Sequence, residues 1–307
     1  MPLTSDSATP GPLARVLELH RLDRPTLADL DPYLRDGEAA VRAAAVAVLA
    51  RLLRDGLAPR GAADTLAWTL ADPDERVRSA AADALDDLPE AVLGTDGVEA
   101  LLLASAPDRD GRVRRTASAL LDALVRAATE LYAQGLQEDE PHIRVQAVLG
   151  LVALHAAAEV AEAADDPARE VRVAVAGGLA RLAQGSAFSA LDHLLADHDP
   201  VVRMAAIDAV AELGAPEPLV GRVVTATAHT SWQVRRRAAI ALAFAEPDVA
   251  VQPLVRALRD RIVDVRRAAV QSLEQWAPTN PEVLTALTEA LADPDPGVRT
   301  QVRWALS

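Results

Sequence analysis

The sequence contains no cysteine. That excludes a disulfide framework, a thiolate metal site and a cysteine nucleophile. It contains no lysine either, so all 31 basic residues are arginine. Aromatic residues make up only 3% of the 307, although 50% of the chain is hydrophobic. Any core must therefore be built mainly from alanine, leucine and valine. No apolar run reaches the roughly 18–20 residues that span a bilayer, so membrane insertion is not expected. The 45 acids leave a formal charge of −14. Nucleic-acid binding rests on neutralising phosphates, so nucleic acid is not expected as a partner.

What is present is a repeat. A hydrophobic residue followed by arginine recurs nine times, at Val41–Arg42, Val77–Arg78, Val113–Arg114, Ile143–Arg144, Val171–Arg172, Val202–Arg203, Val234–Arg235, Val265–Arg266 and Val298–Arg299. Five residues before each anchor stands an acid: Asp36, Asp72, Asp108, Glu138, Asp166, Asp197, Asp260 and Asp293. The seventh copy has His229 instead. Four residues after the anchor is always Ala or Val, and eight after is Leu or, once, Val210. Length alone would suggest two domains of about 150 residues. The repeat instead suggests one array over residues 12–307, preceded by a flexible tail at 1–11.

Each copy reads as two helices. Offsets 0, 4, 7, 8 and 11 from the anchor share one face of a 3.6-residue helix, and the Ala and Leu found there form its packing stripe. The acid falls in a turn, often before proline, as at Asp72–Pro73 and Asp293–Pro294. An acid at a helix start can cap free backbone N–H groups, and proline fits the first turn. Before each turn lies a shorter apolar stretch, such as Gly61–Leu70 or Pro281–Leu291, that reads as the first helix of the pair. A short helix around Pro12–Leu22 would cap the array.

The Asp, the Val–Arg pair and the following Ala and Leu, as in Asp72 to Leu85, make the chain resemble the HEAT-repeat family. It resembles in particular the short bacterial form of that family, the phycobilisome-lyase-like HEAT repeats. The resemblance covers roughly residues 25–307. It implies an all-α, right-handed α-solenoid of about nine helical hairpins, whose second helices line a concave face. It also implies that the repeated Asp and Arg hold neighbouring repeats together as a ladder.

If the motif residues are scaffold, function belongs to the variable positions. Opposite the packing stripe lie offsets 2, 6, 9 and 13. Early repeats are mixed there, as in Ser79, Asp83, Asp86 and Glu90, whereas central ones turn apolar. The fifth repeat has Val173, Gly177, Ala180 and Gln184. The expected binding groove is Val145, Leu149, Val152, Val173, Gly177, Met204, Asp208 and Ile240, because contiguous exposed apolar surface marks binding sites. A second copy of the chain could cover the same strip. Gly177–Gly178 sits mid-helix, where glycine costs roughly 1 kcal/mol each relative to alanine. Its two readings are close helix packing and room for a ligand. Residues 201–307 hold 12 Arg and 12 acids, so residues 1–200 carry the net charge. Within the balanced part, Arg236, Arg237 and Arg267 exceed one ladder arginine per repeat. They are candidates to contact an anionic group of a partner, or to pair with local acids such as Asp260 and Asp264.

No nucleophile elbow, phosphate loop or dinucleotide fingerprint occurs. Asp192, His193, Asp197, His198 and Asp199 are the best titratable cluster, but they lack dedicated ligand spacing, so neither a metal nor a cofactor is expected. His–Glu pairs like those that bind iron in the HEAT-repeat deoxyhypusine hydroxylases are absent. The leading expectation is a non-enzymatic scaffold or adaptor that holds a protein or peptide. The alternative is an enzyme or a lyase- or chaperone-like biosynthetic protein with a small molecule in the same groove. A HEAT-like alkylpurine DNA glycosylase ranks third, because the net charge is acidic and Trp68, Trp232, Trp276 and Trp304 are scattered. Met1–Pro12 lacks the basic-then-apolar pattern of a secretion signal. With the Cys-free, all-Arg composition this points to a bacterial cytoplasmic protein.

Overall fold

The computed structural model describes residues 10–87, 93–183 and 185–307. Most of the expected tail, together with Glu90 and Gln184, lies outside the described residues. Those residues divide into two compact units, Met1–Ala127 and Ala128–Ser307. Among them every regular element is helical.

The first unit begins with α1 (Pro12–Arg21), α2 (Leu27–Leu34) and α3 (Ala39–Arg54). It continues with α4 (Ala62–Thr69), α5 (Glu75–Asp86), α6 (Thr95–Ala104) and the start of α7 (Gly111–Gly135). Here α1 packs on α3, α3 on α5 and α4 on α6. Second helices therefore stack on second helices, and first on first. The core is a leucine–alanine cluster that includes Leu30, Leu49, Leu66, Leu85 and Leu101. The helix expected near Pro12–Leu22 is α1, and Leu19 anchors it in that core.

The second unit holds α8 (Pro141–Ala153), α9 (Ala157–Glu162), α10 (Arg169–Leu182), α11 (Gly185–Leu195), α12 (Pro200–Glu212) and α13 (Val220–Ala226). Then follow α14 (Trp232–Ala241), α15 (Pro247–Ala257), α16 (Val263–Leu273), α17 (Pro281–Ala290) and α18 (Pro296–Ala305). The even-numbered helices from α8 to α18 form one layer and the odd-numbered helices from α9 to α17 the other. This is the α-solenoid architecture. Each hairpin buries its stripe against its neighbours, so stability is shared along the array.

The fourth repeat departs from the expected pattern of two separate helices. Its first arm is the end of the 25-residue helix α7. Within the second unit the Tyr132 ring lies directly over Gly150 of α8, and Gly135 faces Ala147. No turn chemistry interrupts Arg112–Gln134, so one helix runs through.

The turn acid is not itself the helix cap. Asp72 Oδ1 accepts the N–H of Asp74, and Asp74 is the N-cap residue of α5, accepting from Arg76 N–H at 2.9 Å. Asp197 and Asp199 divide the work in the same way before α12.

Candidate functional site

The repeated arginine works as a staple, which Arg172 illustrates. Its Nη1 donates to the carbonyl oxygens of Asp166 and Pro167 in its own turn, at 2.7 and 3.3 Å. Its Nε and Nη2 donate to Asp197 Oδ2 and Oδ1 of the next repeat, at 2.6 and 3.2 Å. Asp197 Oδ1 also accepts the Asp199 N–H at 2.8 Å. The same two-pronged contact joins Arg42 to Asp72, Arg144 to Asp166, Arg235 to Asp260 and Arg266 to Asp293. Bidentate guanidinium–carboxylate pairs of this kind are strong and geometrically specific. Burial pushes the Asp197 carboxyl up. The Arg172 hydrogen bond, the Asp199 N–H and the Arg172 charge outweigh burial and hold it below its ordinary value.

Four ladder positions depart from the regular rung. Asp36 is met by Arg15 of α1, with Nη2 3.0 Å from Oδ1, so the capping helix supplies the missing arginine. Asp108 and Glu138 are exposed, and neither makes an ion pair among the described residues. His229 Nδ1 accepts the Ser231 N–H at 3.0 Å, copying the turn-closing half of the aspartate's role but not its charge.

With the ladder assigned, the variable face of α8, α10, α12 and α14 remains. Leu149 is 40% exposed. Gly177 has the same offset on the adjacent helix, and a β-carbon there would meet nothing within 4 Å. Val145, Val173, Met204 and Ile240 are half-buried and packed against the core. Val152 corrects the expected strip. It is 7% exposed and packs on Gly178, where a β-carbon would lie 2.5 Å from Val152 Cγ2. Offset 9 on α8 therefore faces inward, and the open apolar surface narrows to Leu149 with the edges of its half-buried neighbours. The two glycines separate: Gly178 serves close helix packing, whereas Gly177 faces open space.

Asp208 Oδ1 lies 3.3 Å from Arg237 Nη1. Burial raises the Asp208 carboxyl above its ordinary value, against the opposing Arg237 charge. Arg267 Nη2 donates to Asp295 Oδ1 at 3.0 Å. Arg237 and Arg267 are thus already neutralised, by acids other than Asp260 and Asp264. Arg236 is exposed and has no partner among the described residues. Asp197 is committed to Arg172, and His193 Nε2 sits 2.6 Å from Asp165 Oδ1, so the acidic–histidine cluster is divided between other contacts.

Two clefts were not anticipated. One of ≈ 680 Å³ lies between α16 and α18, lined by Arg267, Gln271, Glu274, Thr300, Gln301 and Trp304. Extending offsets 2 and 6 to the last two repeats finds Arg267, Gln271, Thr300 and Trp304, so this cleft continues the same face. The other, ≈ 400 Å³, lies between α15 and α17. Val255, Leu258, Ala286 and Ala290 line it, with Arg266 and Asp293. Its signal was hidden in the first helices, which carry no fixed motif.

The sequence profile described as HEAT repeats matches residues 27–121, 156–221 and 222–307. No curated protein matches in sequence. Among solved structures, a chain of the Pds5–Scc1 complex is similar, with 12% identity and a TM-score of 0.54, covering 100% of this chain and 68% of that one. An X-ray structure of YibA from E. coli matches at 17% identity and TM-score 0.39, covering 99% of each chain. A designed armadillo-repeat protein solved with the peptide (KR)4 matches at 19% identity and TM-score 0.41, covering 68% of this chain and 97% of that one. At these identities the likeness is one of fold. Among the described residues no helix is long and apolar enough to cross a membrane.

Proposed function

The chain belongs to the HEAT-repeat family, and from that premise we propose that it is a non-enzymatic binding scaffold. Its docking face is the second-helix layer of residues 128–307, and its occupant is a protein or peptide. The observation that carries this reading is the division of labour among side chains. Five of the repeated arginines and their aspartates are consumed in holding repeats together. The variable positions leave Leu149 exposed, Gly177 open and Arg236 without a partner among the described residues, all on one layer. An apolar side chain of the partner would rest on Leu149 over the space at Gly177. An acidic group would be met by Arg236. The Pds5 structure, similar in fold, is that of a protein complex, which agrees with this use of the architecture.

The test is partner capture with the native chain against a Leu149→Arg/Gly177→Arg variant. Both positions are exposed, so the variant should keep its circular dichroism and thermal midpoint. A bound protein lost from the variant supports the proposal. Equal capture by both forms removes this face from consideration.

A further inference from the structure

Within residues 128–307 the ladder is closed at Arg144–Asp166, Arg172–Asp197, Arg235–Asp260 and Arg266–Asp293. It is open between the sixth and seventh repeats, where Arg203 faces His229. Two details make this joint more than a missing bond. The guanidinium has turned. In the closed rungs Nη1 holds the repeat's own turn and Nε reaches the next repeat. In Arg203, Nε donates to the Asp197 carbonyl oxygen and Nη2 to that of Ala196 at 3.2 Å. Nη1 is left without a partner among the described residues. His229 Nδ1 accepts the Ser231 N–H, so in the neutral ring the proton sits on Nε2. Where a ladder aspartate offers its second carboxylate oxygen, the ring offers an N–H donor, and the Arg203 charge bears on that ring. Both sides of the joint therefore carry donors.

The acids of the neighbouring turns are committed. Asp197 pairs with Arg172, with His198 Nδ1 3.3 Å away, and Asp260 pairs with Arg235. Asp199 accepts the Val201 N–H and lies 3.7 Å from Arg169. Arg235 also donates to the carbonyl oxygens of His229 and Thr230, which fixes the histidine turn from the other side. Among the described residues the joint thus carries one positive charge without an ion-pair partner and two unmatched donors. Both side chains are only partly buried, so solvent-borne groups can reach them. Burial, followed by the Arg203 charge, lowers the His229 pKa from its ordinary value.

We propose that the Arg203–His229 joint is a carboxylate-binding notch, in which an external carboxylate takes the place of the missing ladder aspartate between the guanidinium and His229 Nε2–H. The carboxylate is either a free small anion or an acidic side chain of a bound protein. This site is separate from the Leu149 face, and its failure would leave that reading untouched.

The six histidines make the test spectroscopic. The ring signals of His229, assigned by His229→Gln, are followed by NMR while acetate is added at constant ionic strength. A short Asp-containing peptide is titrated separately. A saturable His229 shift with acetate, weakened about tenfold or more in Arg203→Gln, supports a notch that takes a free carboxylate. A shift with the peptide alone supports the notch and assigns it to protein side chains. No shift with either, or equal shifts in Arg203→Gln, overturns it. His229→Asp provides a second check that does not depend on the folding of Arg203→Gln. Filling the notch internally should raise the thermal midpoint and abolish any stabilisation by acetate. A lowered midpoint, or undiminished acetate stabilisation, overturns the proposal as well.

Discussion

Arg172 and Asp197 are 7% and 4% exposed in their side chains, and both prongs of the contact are made. Taking away one partner of such a pair strands the other charge in a poorly solvated joint. Arg172→Ala should therefore cost about 3 kcal/mol, read by chemical denaturation. The Arg259–Glu289 pair spans neighbouring repeats too, but is 79% and 63% exposed. Arg259→Ala should cost less than about 1 kcal/mol. Equal losses would mean that the buried rungs are not what joins the repeats. Much of this residue-scale picture was legible beforehand. The family resemblance implied the ladder at the repeated Asp and Arg, and His229 marked the seventh repeat as the departure. Arg15 was not legible, because it lies in a helix outside the repeat and carries no motif.

Within α10, Gly177 and Gly178 occupy consecutive positions with opposite surroundings. An alanine at Gly177 would meet nothing, so it should stabilise by about 1 kcal/mol through helix propensity. An alanine at Gly178 would place its β-carbon against Val152 Cγ2, a short branched group with little freedom to move. Overpacking of this kind costs about 1–3 kcal/mol, which exceeds the propensity gain, so Gly178→Ala should destabilise. Thermal midpoints moving in the same direction would contradict the assigned rotation of the helix. That rotation is what sequence offsets resolved least well. Alanine occupies positions all around these helices, so the packing stripe is wide and its edges are indistinct. Offset 6 at Leu149 faces out as expected, whereas offset 9 at Val152 turns inward because α10 removes a side chain at Gly178 to receive it. The continuity of α7 escaped for a related reason: the fourth repeat keeps its Val–Arg-type anchor while losing the turn before its first arm.

Across the whole chain, the rung aspartates Asp72, Asp166, Asp197, Asp260 and Asp293 share one electrostatic state. Burial raises each, and arginine hydrogen bonds, turn N–H groups and arginine charges together lower each below 3.8. A carboxyl whose pKa is depressed by folding contributes stability that is fully present above its unfolded value. That contribution is lost as pH falls through the folded value. Unfolding free energy should therefore hold its ladder contribution down to about pH 4 and lose it below, and Arg172→Ala should show a shallower loss. A ladder contribution lost between pH 5 and 7 instead would assign the linkage to other groups. The repeated pattern builds the array, and the variable second-helix face is left to bind. Hydroxyl-radical footprinting of the chain, free and with a captured partner, separates these two roles. Protection is expected at Leu149 and Met204, with the exposed Leu284 on α17 left as reactive as before. Protection of Leu284 with Leu149 and Met204 unchanged would instead place the partner on the first-helix layer.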